Sequence, residues 1–143
     1  MPTTPFRALA SALLMAWAVG LAGCTSPTRK SAPEASAASL AERNQQIVLA
    51  FYRQFFGQRD LSAAERYITP DYIQHNPMVP SGREAFVNAF RNIFAQRPQR
   101  SSTIHRLIAE GDLVVVHVHS RSHPQDRGSA IIDIFRVNAD GRS

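Results

Sequence analysis

A chain of 143 residues allows one domain and little besides, and at 44% hydrophobic against 19% charged residues most of it can fold, which excludes a wholly disordered protein. The net charge of +5 rests almost entirely on arginines scattered singly, with no basic run and no aromatic interleaving, so no nucleic-acid partner is expected. One cysteine, Cys24, excludes an internal disulfide and a cysteine zinc cluster.

The chain opens with Arg7 followed by an uncharged apolar run over residues 8–22. That run is shorter than the roughly 20 apolar residues a membrane span needs. It ends in Leu21-Ala22-Gly23-Cys24, which resembles a bacterial lipoprotein signal. The resemblance implies cleavage after residue 23 and acylation of Cys24. The expected location is the bacterial cell envelope, with the protein held to a membrane by its lipid. Residues 24–39 then carry no large apolar side chain and read as the acylated cysteine and a flexible tether, with the folded domain in residues 40–143.

From Leu40 the pattern turns helical. Leu40, Ile47, Val48, Phe51, Tyr52, Phe55 and Phe56 predict one amphipathic helix over 40–57, ended near Gly57. Asp60 is an N-cap for a short helix from Leu61 to about Tyr67, and Pro70 stops it. Tyr72 to Pro77 reads as extended. Ser81-Gly82-Arg83-Glu84 has the pattern of a capping box, opening a third helix with Phe86, Val87, Phe90, Ile93 and Phe94 on one face.

Past Pro98 the period is two. Strands are predicted over 102–109, from Leu113 to about Ser122, and over 129–137, joined by Glu110-Gly111-Asp112 and by a loop over 123–128. Three helices followed by an antiparallel meander define an α+β protein with a curved sheet wrapped around the helices.

Three stretches in this order resemble the SnoaL-like, polyketide cyclase type branch of the nuclear transport factor 2-like superfamily. They are Tyr72-Ile73-Gln74-His75-Asn76-Pro77, Ala109-Glu110-Gly111-Asp112-Leu113-Val114 with His117-Val118-His119, and Asp133-Ile134-Phe135-Arg136-Val137. The resemblance covers residues 40–143 and implies a cone-shaped α+β barrel. It also implies intramolecular aldol chemistry without metal or organic cofactor, on an aspartate and a histidine that fall at Asp133 and His119. In that family a further strand rich in Glu, His, Trp and Asp follows. Here Asp140-Gly141 signals a turn and the chain stops at Ser143, so the barrel is expected to lack its last strand.

Strand alternation supports the pairing of those two residues. Val115, His117 and His119 share one face of their strand, and Ile131, Asp133, Phe135 and Val137 share a face of the next. A hairpin symmetric about residue 126 sets His119 directly across from Asp133, with Val115, Ile131, Phe135 and Val137 around them. A partly desolvated carboxylate is a better base toward a proton α to a carbonyl, and the imidazole could orient it or donate to the enolate oxygen. The same pair could equally be a structural hydrogen bond in a barrel lining.

His75, Tyr72, Gln74, His117 and Phe135 are candidate substrate contacts, although His75 also suits a turn beside Pro77. His117 and His119 with Asp133 could form a zinc set, but the resemblance points to metal-free members, so no metal is expected. The function expected is a pocket for a small apolar or carbonyl-containing molecule. It would be either a cofactor-independent cyclase, lyase or isomerase, or a non-catalytic binding or dimerisation module of an envelope lipoprotein. A homodimer is expected in both cases.

Overall fold

A computed structural model describes residues 32–143. The signal-like leader, Cys24 and the first part of the tether lie outside the described residues. Among the described residues no helix is long and apolar enough to cross a membrane.

The first helix, α1 (Ala32–Phe51), starts eight residues before Leu40, inside the stretch expected to be a flexible tether. The reason is local. Ala32, Ala35, Ala37 and Ala38 are strong helix formers, and Pro33 falls in the first turn, where no helical N–H bond is lost. Its far end also departs from expectation, because Tyr52–Gly57 continues as a π-helix. A short helix α2 (Ala63–Tyr67) follows. The Asp60 carboxylate accepts from the backbone N–H and hydroxyl of Ser62 at 3.0 and 2.5 Å, holding the turn into it.

Residues 72–77 form no regular element. Helix α3 (Arg83–Gln96) begins without the predicted capping box, since its N-cap is Gly82 and makes no side-chain bond. The Ser81 hydroxyl instead accepts from the backbone N–H of Gln74 at 3.1 Å, tying the irregular segment to the helix start.

The strands are β1 (Ser101–Glu110), β2 (Leu113–Arg121) and β3 (Ser129–Arg136), joined as an open antiparallel sheet in the order β1-β2-β3. The helices cover one face. Val114, Val116 and Val118 point into that inner face and are almost fully buried, while β2 residues 115, 117 and 119 point outward. Phe51 and Phe55 pack the helical side of the core against Phe86, with ring centroids 6.4 and 5.0 Å away, and Phe51 also meets Phe135 of β3 at 5.9 Å.

Two polar side chains fix α1 on the sheet. The fully buried Asn44 amide donates to the carbonyl of Gly111 at 2.9 Å, and Gln45 donates to the carbonyl of Leu107 at 3.0 Å on the free edge of β1. The Asp-Gly signal near the C-terminus does form a turn, closed by Asn138 and Arg142. The returning residue, Ser143, exchanges backbone bonds with Tyr67 and Thr69 at 2.9 and 2.7 Å.

Candidate active site on the inner face of the sheet

The register of β2 against β3 decides which polar residues meet. Ser120 pairs with Ser129, His119 with Ala130, and Val116 with Asp133. The hairpin is therefore centred between Pro124 and Gln125 rather than on residue 126. The pairing differs by three residues, an odd number, so His119 and Asp133 stand on opposite faces of the sheet. The predicted Asp133–His119 pair does not form.

The loop explains the shift. The Asp126 carboxylate accepts from the N–H groups of Ser122 and Gly128 at 2.8 and 3.0 Å, which draws the loop into a compact turn. Gly128 sits at φ +76°, and a Cβ there would come within 2.5 Å of both His119 Nε2 and the Ser120 carbonyl. Only glycine fits, and His119 Nε2 bonds the Arg127 carbonyl at 2.7 Å. His119 is thus part of the hairpin lock.

Asp133 finds another partner. On the inner face its carboxylate accepts a hydrogen bond from the hydroxyl of Tyr52, the first residue of the π-helix. A π-turn is a frequent feature of functional sites because it re-aims side chains that a regular helix would place elsewhere. Tyr52 is buried, with its ring 4.6 Å from that of Phe56 and edge-on to Phe135 at 6.0 Å.

The electrostatics follow from that burial. Desolvation raises the Asp133 carboxyl above the ordinary aspartate range, opposed by the Tyr52 hydrogen bond and the positive charge of Arg100. Burial, followed by the charge of Asp133, pushes the Tyr52 hydroxyl far above its usual value. Tyr72 is raised by burial and then by Asp133. Tyr72 packs edge-on against Phe86 at 5.7 Å, so two phenols and a carboxyl share one low-dielectric region. Such a set can exchange a proton with a bound molecule and donate to a developing oxyanion.

A groove of about 530 Å³ opens beside this cluster. Leu49, Tyr52 and Phe56 form its helical wall, and Ser102, Ile104 and Leu107 its β1 wall. Tyr52 belongs to both the groove wall and the contact with Asp133.

The other expected contacts divide. Tyr72 lies at the cluster, and the half-buried Gln74 acts on the Tyr72 hydroxyl, drawing its pKa down. Phe135 is a buried core residue, packed edge-on against Phe51 and Tyr52. His75 is exposed in the irregular segment, away from the described cluster contacts. His117 faces outward with His119, so neither can join Asp133 around a zinc ion. A bulge at His105 turns that ring outward too, 5.5 Å from His117 and 6.2 Å from His119. Among the described residues no group of three or more His, Cys, Asp or Glu is placed to hold a metal.

In the sequence Tyr52 reads only as an apolar member of a helix face, and no motif marks Arg100. The available signal for Tyr52 is its hydroxyl on a helix face otherwise built of apolar side chains.

Residues 48–143 match the SnoaL-like domain, and the chain belongs to that family. Among solved structures it is similar to a steroid delta-isomerase from Pseudomonas aeruginosa, at 26% identity over 69% of this chain and 73% of that one, with a TM-score of 0.53. TsrD from Streptomyces laurentii shares 24% identity over 69% of this chain and 81% of its own, with a TM-score of 0.53. A proposed SnoaL-like polyketide cyclase from Jannaschia sp. CCS1 shares 19% identity over 80% and 85%, with a TM-score of 0.58. No curated protein sequence is significantly similar to the chain.

Proposed function

We propose that this chain binds a small carbonyl compound on the inner face of its sheet and performs cofactor-free acid–base chemistry there, of the isomerase or cyclase kind. The observation that carries this reading is the Tyr52–Asp133 contact, a carboxyl of raised pKa against a buried phenol beside an open groove. The names of the solved relatives, a steroid delta-isomerase and a proposed polyketide cyclase, support the same class of reaction.

In the reaction, ionised Asp133 takes a proton α to the ligand carbonyl. The C–H pair becomes the enolate, whose oxygen accepts from the hydroxyl of Tyr52 as that group turns from the carboxyl to the ligand. In an isomerisation Asp133 returns the proton at the γ carbon. In a cyclisation the enolate carbon attacks a second carbonyl of the same molecule, and the alkoxide that forms takes back the proton held by Asp133. The test is a β,γ-unsaturated ketone, whose conjugated product is followed by absorbance. The wild type should convert it, and Asp133→Asn should lose roughly two to four orders of magnitude while still binding. Binding without turnover in the wild type would leave a non-catalytic pocket.

The proposal also places the protein at the bacterial cell envelope through acylated Cys24, on the strength of the Leu-Ala-Gly-Cys sequence after an apolar run. It makes the protein a homodimer through the outer sheet face, where Ile108, Ile132 and Ile134 are 61, 57 and 65% exposed around Val115.

A further inference from the structure

The groove beside the candidate active site follows an edge of the sheet. Its β1 wall is the unbroken run from Ser102 to Leu107, whose side chains point to both faces. A groove confined to the inner face would be lined by alternate residues, so this one reaches the free backbone of the strand. The pairing with β2 says which groups are free. Gly111 and Asp112 make a tight turn, so Glu110 and Leu113 form a hydrogen-bonded pair, as do Ile108 with Val115 and Arg106 with His117. Beyond the bulge at His105 the bonded pairs are Thr103 with His119 and Ser101 with Arg121. Ser102, Ile104 and Leu107 therefore turn both N–H and C=O away from β2.

Two side chains obey this alternation and close the edge at either end. Gln45 donates to the Leu107 carbonyl at 3.0 Å, and Arg59 donates to the Arg100 carbonyl at 3.1 Å. Between them, the N–H and C=O of Ser102 and of Ile104 meet no protein partner among the described residues. Across the groove stand Leu49 and Phe56, with Tyr52 leading to Asp133. The open edge is short. The bulge interrupts it after Ile104 and Gln45 occupies Leu107, so it has room for one amino-acid unit and not for a strand.

We infer that this edge is the subsite for an amino-acid unit of the ligand, so that the substrate class is a ketone joined through an amide bond to a single α-amino acid residue. The inference rests on the reading of the groove and the Tyr52–Asp133 contact as the ligand site. A strand residue presents its N–H and C=O to the same side, and a partner meets both only if it carries a donor and an acceptor on either side of one carbon. An α-amino acid residue has that spacing. Its N–H donates to the Ile104 carbonyl and its C=O accepts from the Ile104 N–H. An apolar side chain on it faces Leu49 and Phe56, and the ketone extends toward Tyr52. A carboxylate or a phosphate offers acceptors alone and would leave the Ile104 carbonyl unmet.

The test uses the full chain and two probes, benzoylpropanoyl-leucine methylamide and the analogue in which an ester oxygen replaces the leucine N–H, with affinities from calorimetry. The wild type should bind the amide roughly tenfold tighter than the ester, the scale of one donor lost opposite an acceptor that has left water. In the amide complex the Ile104 N–H should exchange with deuterium roughly tenfold more slowly than in the free protein, as read by NMR, with the already paired Ile108 unchanged. Equal affinity for the two probes, binding of neither, or unchanged exchange at Ile104 would overturn the inference. So would a ketone-free extended tetrapeptide that binds more tightly than the amide probe and protects the whole run from Ser102 to Leu107, which would make this edge a docking strand for peptides. Asp133→Asn separates the subsite from the catalytic reading. The amide preference should persist in that variant, and a wild type that shows the preference without turning a ketone over would sink the catalytic reading alone.

Discussion

The hydroxyl of Tyr52, at the start of a π-turn, donates to the carboxylate of Asp133, in the middle of the last strand. Two residues 81 positions apart are joined on the buried side of the sheet, and the contact links the helical layer to the one carboxyl on the inner face of the sheet. Each charge state of Asp133 is set by how well this phenol and the nearby Arg100 offset its lost hydration.

Removing the phenol should therefore move Asp133. Tyr52→Phe deletes a hydrogen bond that favours the ionised form, so the Asp133 titration should shift further up, as read from its carboxyl carbon by NMR. The same change should cost about 1.5–3 kcal/mol at neutral pH, the scale of a hydrogen bond to a charged acceptor. An unchanged titration would dissociate the two groups.

Stability should carry the opposite pH signature from that of an ordinary paired aspartate. Because the folded pKa of Asp133 is raised, the folded state binds the extra proton between the unfolded value and the folded one. Its contribution is present below the unfolded pKa and is lost as pH rises through the folded pKa. Asp60 and Asp126 are lowered, chiefly by hydrogen bonds from Ser62 and from the Ser122 backbone, and act in the reverse sense, lost as pH falls. The difference in melting temperature between wild type and Asp133→Asn isolates the first effect, and it should move against the wild type as pH climbs from about 4.

His119 should be dispensable for chemistry and important for the hairpin. His119→Gln should keep turnover within about twofold, since the imidazole stands on the outer face. Gly128→Ala should be far more damaging, by about 2 kcal/mol or more, because its Cβ would meet the backbone of Ser120 at 2.5 Å in a left-handed conformation. Thermal unfolding of the two variants tests both statements.

The element order was legible in the sequence because prolines 70 and 98 and Gly111 punctuate it, and the burial alternation of β2 followed its valines. Register was not. It is decided by the Asp126 turn and by the clearance at Gly128, neither of which strand periodicity encodes. An odd slip was enough to exchange one face for the other and to replace a histidine partner by a tyrosine. The π-turn was hidden for a related reason, since Phe51, Tyr52, Phe55 and Phe56 satisfy helical spacing equally well in either winding. The potential capping box at Ser81 failed because a more distant backbone group, the N–H of Gln74, took the hydroxyl.

The outer sheet face should govern self-association. Ile108 and Ile134 both pair with Val115 across β2, forming one apolar row. Ile134→Lys should shift the sedimenting species from dimer to monomer without lowering the melting temperature by more than a few degrees. A wild type that sediments as a monomer at all concentrations would contradict the dimer.

The core beneath the site should be rigid. Phe55 is fully buried, with the rings of Phe51, Phe56 and Phe86 centred 5.0 to 5.2 Å away. Phe55→Ala should cost about 3–5 kcal/mol in denaturant unfolding, by lost burial and the cavity left behind.

The central claim is that Asp133 is the proton-abstracting base, and deuterium exchange at the α carbon of a bound phenyl ketone measures that step directly. The wild-type exchange rate should rise with pH as Asp133 ionises, through a value above the ordinary aspartate range, and then level off. Asp133→Asn should flatten the profile and lower the plateau by roughly two to four orders of magnitude, with His119→Gln unchanged. Exchange in Asp133→Asn that matches the wild type across the pH range would contradict the account.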